Sequence, residues 1–416
     1  MMHRINKIVY ALGAFGFAVL ASFAQELQHL TTVVNVEVPV RVFKGDAFVK
    51  DLTIDDFEIH ENGVLQKIEA LYQIRKTAVE RRDERRLFAP ATKRSFYLIF
   101  EIAEYDPRVE KAMRLFFERI FLPSDDLVIV TPMKTYHLKS GALEKVTLDR
   151  TLDQLRGLLR RDVQSGNAEY RAALDELAAM AKAITASVTG NISGAGIETD
   201  IFGGSFNLDM QESLDEQLFH YSELLEKLES LRSIDEKRML GFAKQLKTTA
   251  GQKYVFLFYQ QEYVPAIDAK QYNYLTSFNL DRGDMIFKAN ELFGYRKRDQ
   301  TLNADAVKKA FSDSSISVHF MFLTRIPDPV PGLQFEDRSE DIYNPFLEMA
   351  KATGGLAQSS ANPEYLFARS SDAIENYYLL YYTPKDYKPD GSFKTIVVKV
   401  KSGNYRVSHR SGYFAN

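Results

Sequence analysis

Polar side chains follow two of the buried strands that the sequence predicts. They are Glu101, Glu104, Tyr105 and Asp106 after the strand at 96–100, and Gln260, Gln261 and Glu262 after the strand at 254–259. In an open α/β sheet, ligands bind outside the carboxyl ends of the strands. We therefore expect these seven side chains to form a surface for contact with a partner. The carboxylates among them are also candidate ligands for a divalent cation.

Common catalytic signatures are absent from the sequence. There is no Gly-x-x-x-x-Gly-Lys phosphate loop and no Gly-x-Ser-x-Gly nucleophile elbow. Because the chain has no Cys, thiolate catalysis, Cys-ligated zinc, iron–sulfur clusters and lipidation of a Cys are excluded. The histidines are scattered, and none has a second His at the helical spacing that zinc enzymes use. The sequence therefore predicts a protein that is not an enzyme and has no cofactor.

The composition indicates a globular chain with more than one domain. Hydrophobic residues make up 45% of the 416 residues and aromatic residues 12%, which is enough for large cores. At roughly 100–200 residues per domain, the length indicates two or three domains. The formal net charge is −3, so the chain has no overall positive field that would hold nucleic acid. Nucleic acid is therefore not an expected partner.

The first 24 residues have the pattern of an export signal. Arg4 and Lys7 precede a short run without charge at 8–21, and Ser22-Phe23-Ala24 supplies the small residues that a signal peptidase reads. The run is shorter than the roughly 20 residues that a spanning helix needs. We expect cleavage before Gln25 and a periplasmic or secreted protein with no stable membrane span. An uncleaved N-terminal anchor is the alternative.

Hydrophobic periodicity divides the mature chain into β and α/β parts. Alternating valines at 33–42 and an Asn-Gly turn at Asn62-Gly63 predict a small β module. Continuous apolar runs at 96–100, 254–259 and 317–323 are typical of strands that are buried on both faces of a parallel sheet. The predicted divisions are a signal at 1–24, an N-terminal β module at 25–74, a charged linker at 75–94, an α/β domain at 95–376 with a helical insertion at about 168–247, and C-terminal strands at 377–416.

Several short segments resemble the von Willebrand factor type A family, and in particular a group of exported bacterial VWFA-related proteins. The matching segments are residues 52–63, 251–257, 350–355, 378–384 and 410–414, which include Gly354-Gly355 and Arg410-Ser411-Gly412-Tyr413-Phe414. The resemblance implies an α/β fold with a doubly wound, mostly parallel, Rossmann-like sheet. We add to it a small β-sandwich-like module formed by the N- and C-terminal strands.

The family binds a divalent cation through an Asp-x-Ser-x-Ser motif after its first strand, and this chain departs from that motif. Glu101 stands where the family has Asp, while Ala103 and Tyr105 stand where it has the two serines. Alanine offers no oxygen, and Mg²⁺ demands near-ideal octahedral geometry. We therefore expect a degenerate site without metal. A different arrangement, in which Glu101, Glu104 and Asp106 hold Ca²⁺, remains open.

These features together predict an exported, non-catalytic protein-binding or scaffold protein. Its partner is expected to be another protein in the cell envelope or outside the cell, and the sequence indicates no oligomeric state. One alternative is an exported hydrolase with an unrecognised site on the same fold, which the fold alone does not exclude. Another is a structural role in an envelope assembly through the tyrosine-rich strand at 377–382.

Overall fold

The structure is a computed structural model that describes residues 34–138, 141, 146–192, 213–277, 279–295 and 302–416. The described helices and strands belong to one unit, Val36–Asn416. The predicted export signal at 1–24 lies outside the described residues. So do residues 193–212 within the predicted helical insertion.

Eighteen strands are present in the described ranges, and they form four sheets. In chain order they are β1 (Val36–Lys44), β2 (Ala47–Phe48), β3 (Phe57–Glu61), β4 (Val64–Gln66), β5 (Ile68–Arg75), β6 (Ala78–Glu84), β7 (Arg94–Glu101), β8 (Asp126–Val130), β9 (Thr135–Leu138), β10 (Gln252–Gln260), β11 (Tyr263–Ile267), β12 (Ile316–Leu323), β13 (Leu333–Asp337), β14 (Ala357–Ser360), β15 (Asn376–Tyr382), β16 (Phe393–Val400), β17 (Arg406–His409) and β18 (Gly412–Phe414).

The same ranges contain ten α-helices. They are α1 (Arg108–Leu115), α2 (Leu148–Gly166), α3 (Ala168–Ile192), α4 (Leu214–Leu231), α5 (Glu236–Lys247), α6 (Ala269–Ser277), α7 (Gly283–Asn290), α8 (Ala304–Asp313), α9 (Glu340–Ala352) and α10 (Pro363–Glu375). Wider π-helical turns, Phe116–Ile120 and Glu291–Tyr295, extend α1 and α7, and a short 3₁₀ turn spans Ile54–Asp56. Among the helices described, none has both the length and the apolar character needed to cross a membrane.

The long apolar runs form a mixed sheet with the strand order β14-β12-β10-β7-β8-β9. β7 pairs in parallel with β8 and β10, and β12 pairs in parallel with β10 and β14, whereas β9 is antiparallel to β8. Helices cover both faces. Phe96, Leu98 and Phe100 pack into one core with α1 and α2, while Tyr97 packs into the other with α5, α8 and α9. Burial on both faces explains why these strands lack alternation.

Strands from both ends of the chain share the antiparallel sheets. One sheet has the order β17-β1-β15-β5-β6 with β2 beside β1, and another has the order β18-β16-β3-β4. In the first sheet Val36 faces Tyr382, and in the second Glu61 faces Ile396. The β3–β4 hairpin confirms the predicted Asn-Gly turn, because Asn62 and Gly63 have φ angles of 48° and 82°.

The predicted fold class, a doubly wound, mostly parallel, Rossmann-like sheet, is wrong for this chain. Of the fourteen strand pairings in the described residues, ten are antiparallel and four are parallel. The one sheet that contains parallel strands is mixed, since β9 runs antiparallel at its edge. Continuous apolar runs reveal parallel strands readily, whereas short edge strands leave a weak pattern in the sequence. The prediction therefore gave too much weight to the buried runs.

The charged segment at 75–94, for which we expected a linker, contains strand β6. Its residues alternate between exposed and half-buried positions, and its backbone pairs along β5 from Arg75↔Ala78 to Ala70↔Glu84. Edge strands of natural sheets often carry charged side chains, which discourage further pairing. The charged side chains of this segment are therefore explained by its position as an edge strand of the sheet.

Helices α3, α4, α6 and α7 pack on one another and on β11 to form a separate helical core. Tyr221 of α4 is buried in this core, and its hydroxyl donates to the carbonyl oxygen of Pro265 at 2.8 Å. The α4 side chains that face the core recur at three- and four-residue spacings, as an amphipathic helix requires. This helical layer lies beside the carboxyl end of β10, where the candidate site begins.

Candidate functional site

The loop that follows β7 is fixed by the side chain of Gln260, which ends the neighbouring strand β10. The Oε1 atom of Gln260 accepts hydrogen bonds from the backbone N–H groups of Ala103 and Glu104 at 3.0 and 2.9 Å. Gln260 is itself buried. A buried amide that satisfies two backbone donors holds the loop in one conformation. The parallel pairing of β7 and β10 thus brings together the two segments that the sequence singles out.

A buried ion pair lies directly beside this loop. Arg232, which follows α4, donates from Nε to Oε1 of Glu262 at 2.7 Å, and both side chains are almost fully buried. The backbone N–H of Glu262 donates to the hydroxyl of Ser339 at 2.8 Å. Tyr170 and Tyr259 place their rings against the guanidinium, with Cζ 5.4 and 5.2 Å from the ring centroids.

The charge of Glu262 keeps Arg232 protonated despite its burial. Burial alone lowers the pKa of Arg232, but the charge of Glu262, followed by those of Tyr259 and Tyr170, outweighs it and raises the pKa. The hydroxyl of Tyr259 also donates to Glu262. The buried carboxylate of Glu262 thus accepts from an arginine and a tyrosine, while its backbone N–H donates to Ser339. This cluster links the helical layer to the mixed sheet, and breaking such a pair by removing one partner is costly.

Glu101 lies near the same arginine, but its surroundings disfavour the charged form of its carboxyl group. Burial raises the pKa of Glu101, and the charge of Glu262 adds to the rise, whereas the charges of Arg232 and Arg238 oppose it. The folded chain therefore holds a proton on Glu101 at pH values at which the unfolded chain has released it. Stability is greatest below the unfolded pKa, and it falls as the pH rises through the folded pKa.

We expect Glu101→Gln to raise the urea midpoint of unfolding at pH 7, because glutamine removes the cost of desolvating a charge at this half-buried position. The gain should shrink as the pH is lowered towards 4.5, where the unfolded carboxyl also becomes protonated. Urea unfolding followed by circular dichroism from pH 4.5 to 8 measures both trends. Glu104→Gln is the matched control, since Glu104 is exposed and pairs with Arg325 at 2.7 Å. A gain that is equal at all pH values would contradict the assignment.

The seven predicted contact residues differ in exposure. Glu104 is exposed, whereas Gln260 and Glu262 are buried and the other four are half-buried. Most of them bond within the chain: Asp106 accepts from Arg108, and Gln261 donates from Nε2 to Oδ2 of Asp337 at 2.6 Å. Tyr105 packs against the core that contains Phe96, and its buried hydroxyl has no hydrogen-bond partner. This edge is therefore occupied largely by contacts within the molecule.

The possible cation ligands do not converge. Glu104 pairs with Arg325, Asp106 pairs with Arg108 at 2.7 Å, and Glu101 lies near Arg232. Across the described residues, no group of three or more His, Asp or Glu side chains is arranged to hold a metal ion. The carboxylates at this edge therefore act as partners of arginines.

A second candidate surface was not predicted from the sequence, and it lies where α4 meets α7. Two polar contacts join these helices: Arg282 donates to Asp215, and Nζ of Lys288 donates to Oγ of Ser222 at 3.3 Å. Phe219 lies on the same stripe of α4 as Asp215 and Ser222, at the spacing i, i+4, i+7. Phe287 precedes Lys288 in α7.

Both phenylalanines point outward, with 61% of Phe219 and 72% of Phe287 exposed. Each is flanked by carboxylates three residues before and four residues after it, which are Glu216 and Glu223 for Phe219, and Asp284 and Glu291 for Phe287. On a helix, residues at these spacings are surface neighbours. We call the two phenylalanines and these four carboxylates the α4–α7 seam. The sequence shows the aromatic and acidic residues of each helix separately. Only the structure shows that the two helices adjoin.

Comparisons with known proteins identify no relative by sequence. The chain matches no family model, and no curated protein matches it. Among solved structures, the human COPII-coat protein Sec24c matches with a TM-score of 0.31 and 9% sequence identity. That match covers 79% of this chain and 44% of Sec24c, so the chain spans less than half of that protein's length. A similarity at this level carries no argument about function.

These findings overturn the resemblance to the von Willebrand factor type A family. No family model matches, and most of the described strands lie in antiparallel sheets instead of a mostly parallel one. One motif behind the resemblance has a packing explanation: a Cβ on Gly355 would lie 1.8 Å from the carbonyl oxygen of Val318. The interpretation of Glu101, Ala103 and Tyr105 as counterparts of metal-ligand positions therefore loses its basis.

Proposed function

We propose that this protein is a non-catalytic binding protein, and that the α4–α7 seam docks a segment of a partner protein that carries both apolar and basic side chains. The observation that carries this proposal is the pair of exposed phenylalanines, each set between two carboxylates on adjoining helices. Single exposed apolar residues are ordinary on protein surfaces. Two such residues with the same acidic surroundings form a surface with a defined chemistry.

The charge of the seam favours a basic partner. The two cations beside it are already engaged, since Arg282 pairs with Asp215 and Lys288 lies 3.5 Å from Glu291. One further exposed carboxylate, Asp281, adds its charge next to Arg282, as does Asp284 of the seam. Lysine or arginine side chains of a partner would meet this negative charge and also contact the faces of the phenylalanine rings. We place this partner outside the cytoplasm, in keeping with the predicted export.

Site-specific photo-crosslinking tests the proposal. A photoreactive phenylalanine analogue at Phe219 or Phe287 should give the same crosslinked protein from both positions in cells that make the chain. The same analogue at Leu87, which is 75% exposed, should not give that product. Mass spectrometry of the crosslinked peptides should find a partner segment with both apolar and basic residues. Different products from the two seam positions, or the same product from Leu87, would contradict a shared docking surface.

Charge reversal supplies a quantitative test with the purified chain and the crosslinked partner segment as a peptide. The double variant Glu223→Lys/Asp284→Lys should weaken binding by about tenfold or more, because it places like charges opposite each other. Asp328→Lys, at an exposed position outside the seam, is the control and should bind as the parent does. The alternative of an exported hydrolase is tested by a turnover screen with peptides, glycans and esters. Turnover that persists in Phe219→Ser/Phe287→Ser would favour that alternative.

A further inference from the structure

A small cavity lies between β1, the starts of β10 and β12, the end of α9 and the C-terminal segment. Polar and charged side chains that line it are Arg41, Gln252, Ser315, Ser317, Thr353 and Arg410. It has room for about one water-sized particle. A cavity of this size, lined by two arginines, restricts its occupant to a single small group.

Both arginines are buried, and their hydrogen bonds go to neutral acceptors. Arg41 donates to the carbonyl oxygens of Ala373 and Gly354, the latter at 3.1 Å. Arg410 donates from Nη1 to Oγ of Ser315 at 2.6 Å and from Nη2 to the carbonyl oxygen of Glu37 at 2.7 Å. In the part of the chain that the structure describes, neither guanidinium forms a salt bridge. Two cations thus share this interior without direct neutralisation, which is a costly arrangement.

Two carboxylates act on the charge of Arg410, and they differ in their own partners: Asp313 pairs with a cation, whereas Glu37 accepts from neutral groups and so offsets one of the cations near the cavity. Oε1 and Oε2 of Glu37 accept from Gln252 at 3.1 Å and from Tyr381 at 2.6 Å, and Asp313 pairs with Lys247 at 2.7 Å.

A third cation lies nearby, since Lys253 is buried and donates to the carbonyl oxygen of Thr249 at 2.8 Å. Burial, and then the charge of Arg410, lower the pKa of Lys253 to about 8. Positive charge therefore exceeds negative charge around the cavity.

Two polar atoms of the cavity lining lack a hydrogen-bond partner. They are Nε of Arg410 and Oγ of Ser317, and their side chains are only 7% and 6% exposed. A buried donor without a partner destabilises the folded chain. Arg410 and Ser317 both line the cavity, so an acceptor in it would lie beside both residues.

We propose that this cavity binds one monoatomic anion of the chloride type, held by Arg410 and Ser317 and neutralised by the two arginines. Phosphate or sulfate, with four oxygens around a central atom, exceeds the available room. A water molecule fits the space but leaves the positive charge uncompensated. The anion would join the N-terminal strand, the mixed sheet and the C-terminal segment, so its effect is on the stability of their junction.

Thermal unfolding at constant ionic strength, with chloride exchanged for the bulky anion gluconate, tests the proposal. The Tm of the parent chain should rise by about 2 °C for each tenfold increase in chloride above half-saturation. Bromide should act like chloride. Ser317→Ala and Arg410→Met should lose this dependence, whatever their own Tm in gluconate. Ser314→Ala is the control, because Ser314 is also buried but bonds to Ala243 at 2.7 Å away from the cavity lining, and it should keep the dependence.

Crystals soaked in sodium bromide supply the direct measurement. An anomalous peak should lie within hydrogen-bonding distance of Nε of Arg410 and Oγ of Ser317. A Tm that is the same in chloride and gluconate, an equal anion effect in Ser317→Ala, or a bromide-free cavity in the soaked crystal would each overturn the proposal.

Discussion

Replacing Arg94 with methionine is expected to lower the free energy of unfolding by about 3–5 kcal/mol, because it leaves Asp125 as a buried charge without its partner. Both side chains are 0% exposed. Nε and Nη2 of Arg94 donate to the two carboxylate oxygens of Asp125 at 3.0 and 2.6 Å, and Nη2 also donates to the carbonyl oxygen of Ile120 at 2.8 Å. The pair ties the start of β7 to the turn before β8.

Urea unfolding at pH 7 measures this loss, and two further variants define its origin. Arg114→Met removes an exposed pair with Asp149 and should cost far less stability, because exposed ion pairs are screened by solvent. The double variant Arg94→Met/Asp125→Leu should recover much of the stability, because it removes the unpaired charge. If Arg94→Met were no more harmful than Arg114→Met, or if the double variant were worse than Arg94→Met, the buried-charge explanation would fail.

The second large effect concerns His319 and acid. This side chain is fully buried, neither ring nitrogen has a hydrogen-bond partner, and the ring stacks on Phe256 with centroids 4.9 Å apart. Burial, and then the charge of Arg41, lower the pKa of His319 to about 3. An unfolded histidine takes up a proton below about pH 6.5. Stability is therefore lost as the pH falls from about 6.5 towards 3, by about 2 kcal/mol at pH 5 from this residue alone.

His319→Phe should remove this acid sensitivity, since it keeps the stacked ring and cannot be protonated. At pH 7 the variant should be as stable as the parent or more stable, because two buried nitrogens without partners are lost. Urea midpoints at pH 7 and pH 5 for the parent and the variant measure the difference. His137→Gln, at an exposed position, is the control and should follow the parent. Equal losses on acidification in parent and His319→Phe would show that another group causes the sensitivity.

Periodicity in the sequence identified strands whose signal is local. The apolar runs around Phe96, Phe256 and Phe320 correspond to β7, β10 and β12, and the Asn62-Gly63 turn is present. Strand β6, in which acidic and basic residues are interleaved, and the short strands β11 and β13 were not predicted. Their formation depends on pairing with a neighbouring strand more than on an apolar pattern. The fold class was wrong because the prediction gave the buried apolar runs more weight than the antiparallel sheets that strands from both chain ends form.

The candidate sites depended on contacts that no local pattern shows. With 53 basic and 56 acidic residues, the sequence does not indicate that Arg232 pairs with Glu262 or Arg94 with Asp125. It did indicate that the segments after β7 and β10 would meet, and Gln260 joins them. It did not indicate that the polar groups of these segments would form hydrogen bonds and ion pairs within the chain. Tertiary contacts decide whether a carboxylate is available to a ligand.

The sharing of sheets by the two ends of the chain has a consequence for the order of folding during synthesis. Within the described residues, β1 pairs only with β2, β15 and β17, and β3 only with β4 and β16. The partner strands β15, β16 and β17 lie more than 300 residues further along the chain and are synthesised late. β1 and β3 therefore each keep an unpaired edge until synthesis is almost finished. Contacts of such long sequence separation form slowly. A chain of this design stays incompletely folded until its C-terminal strands have been made.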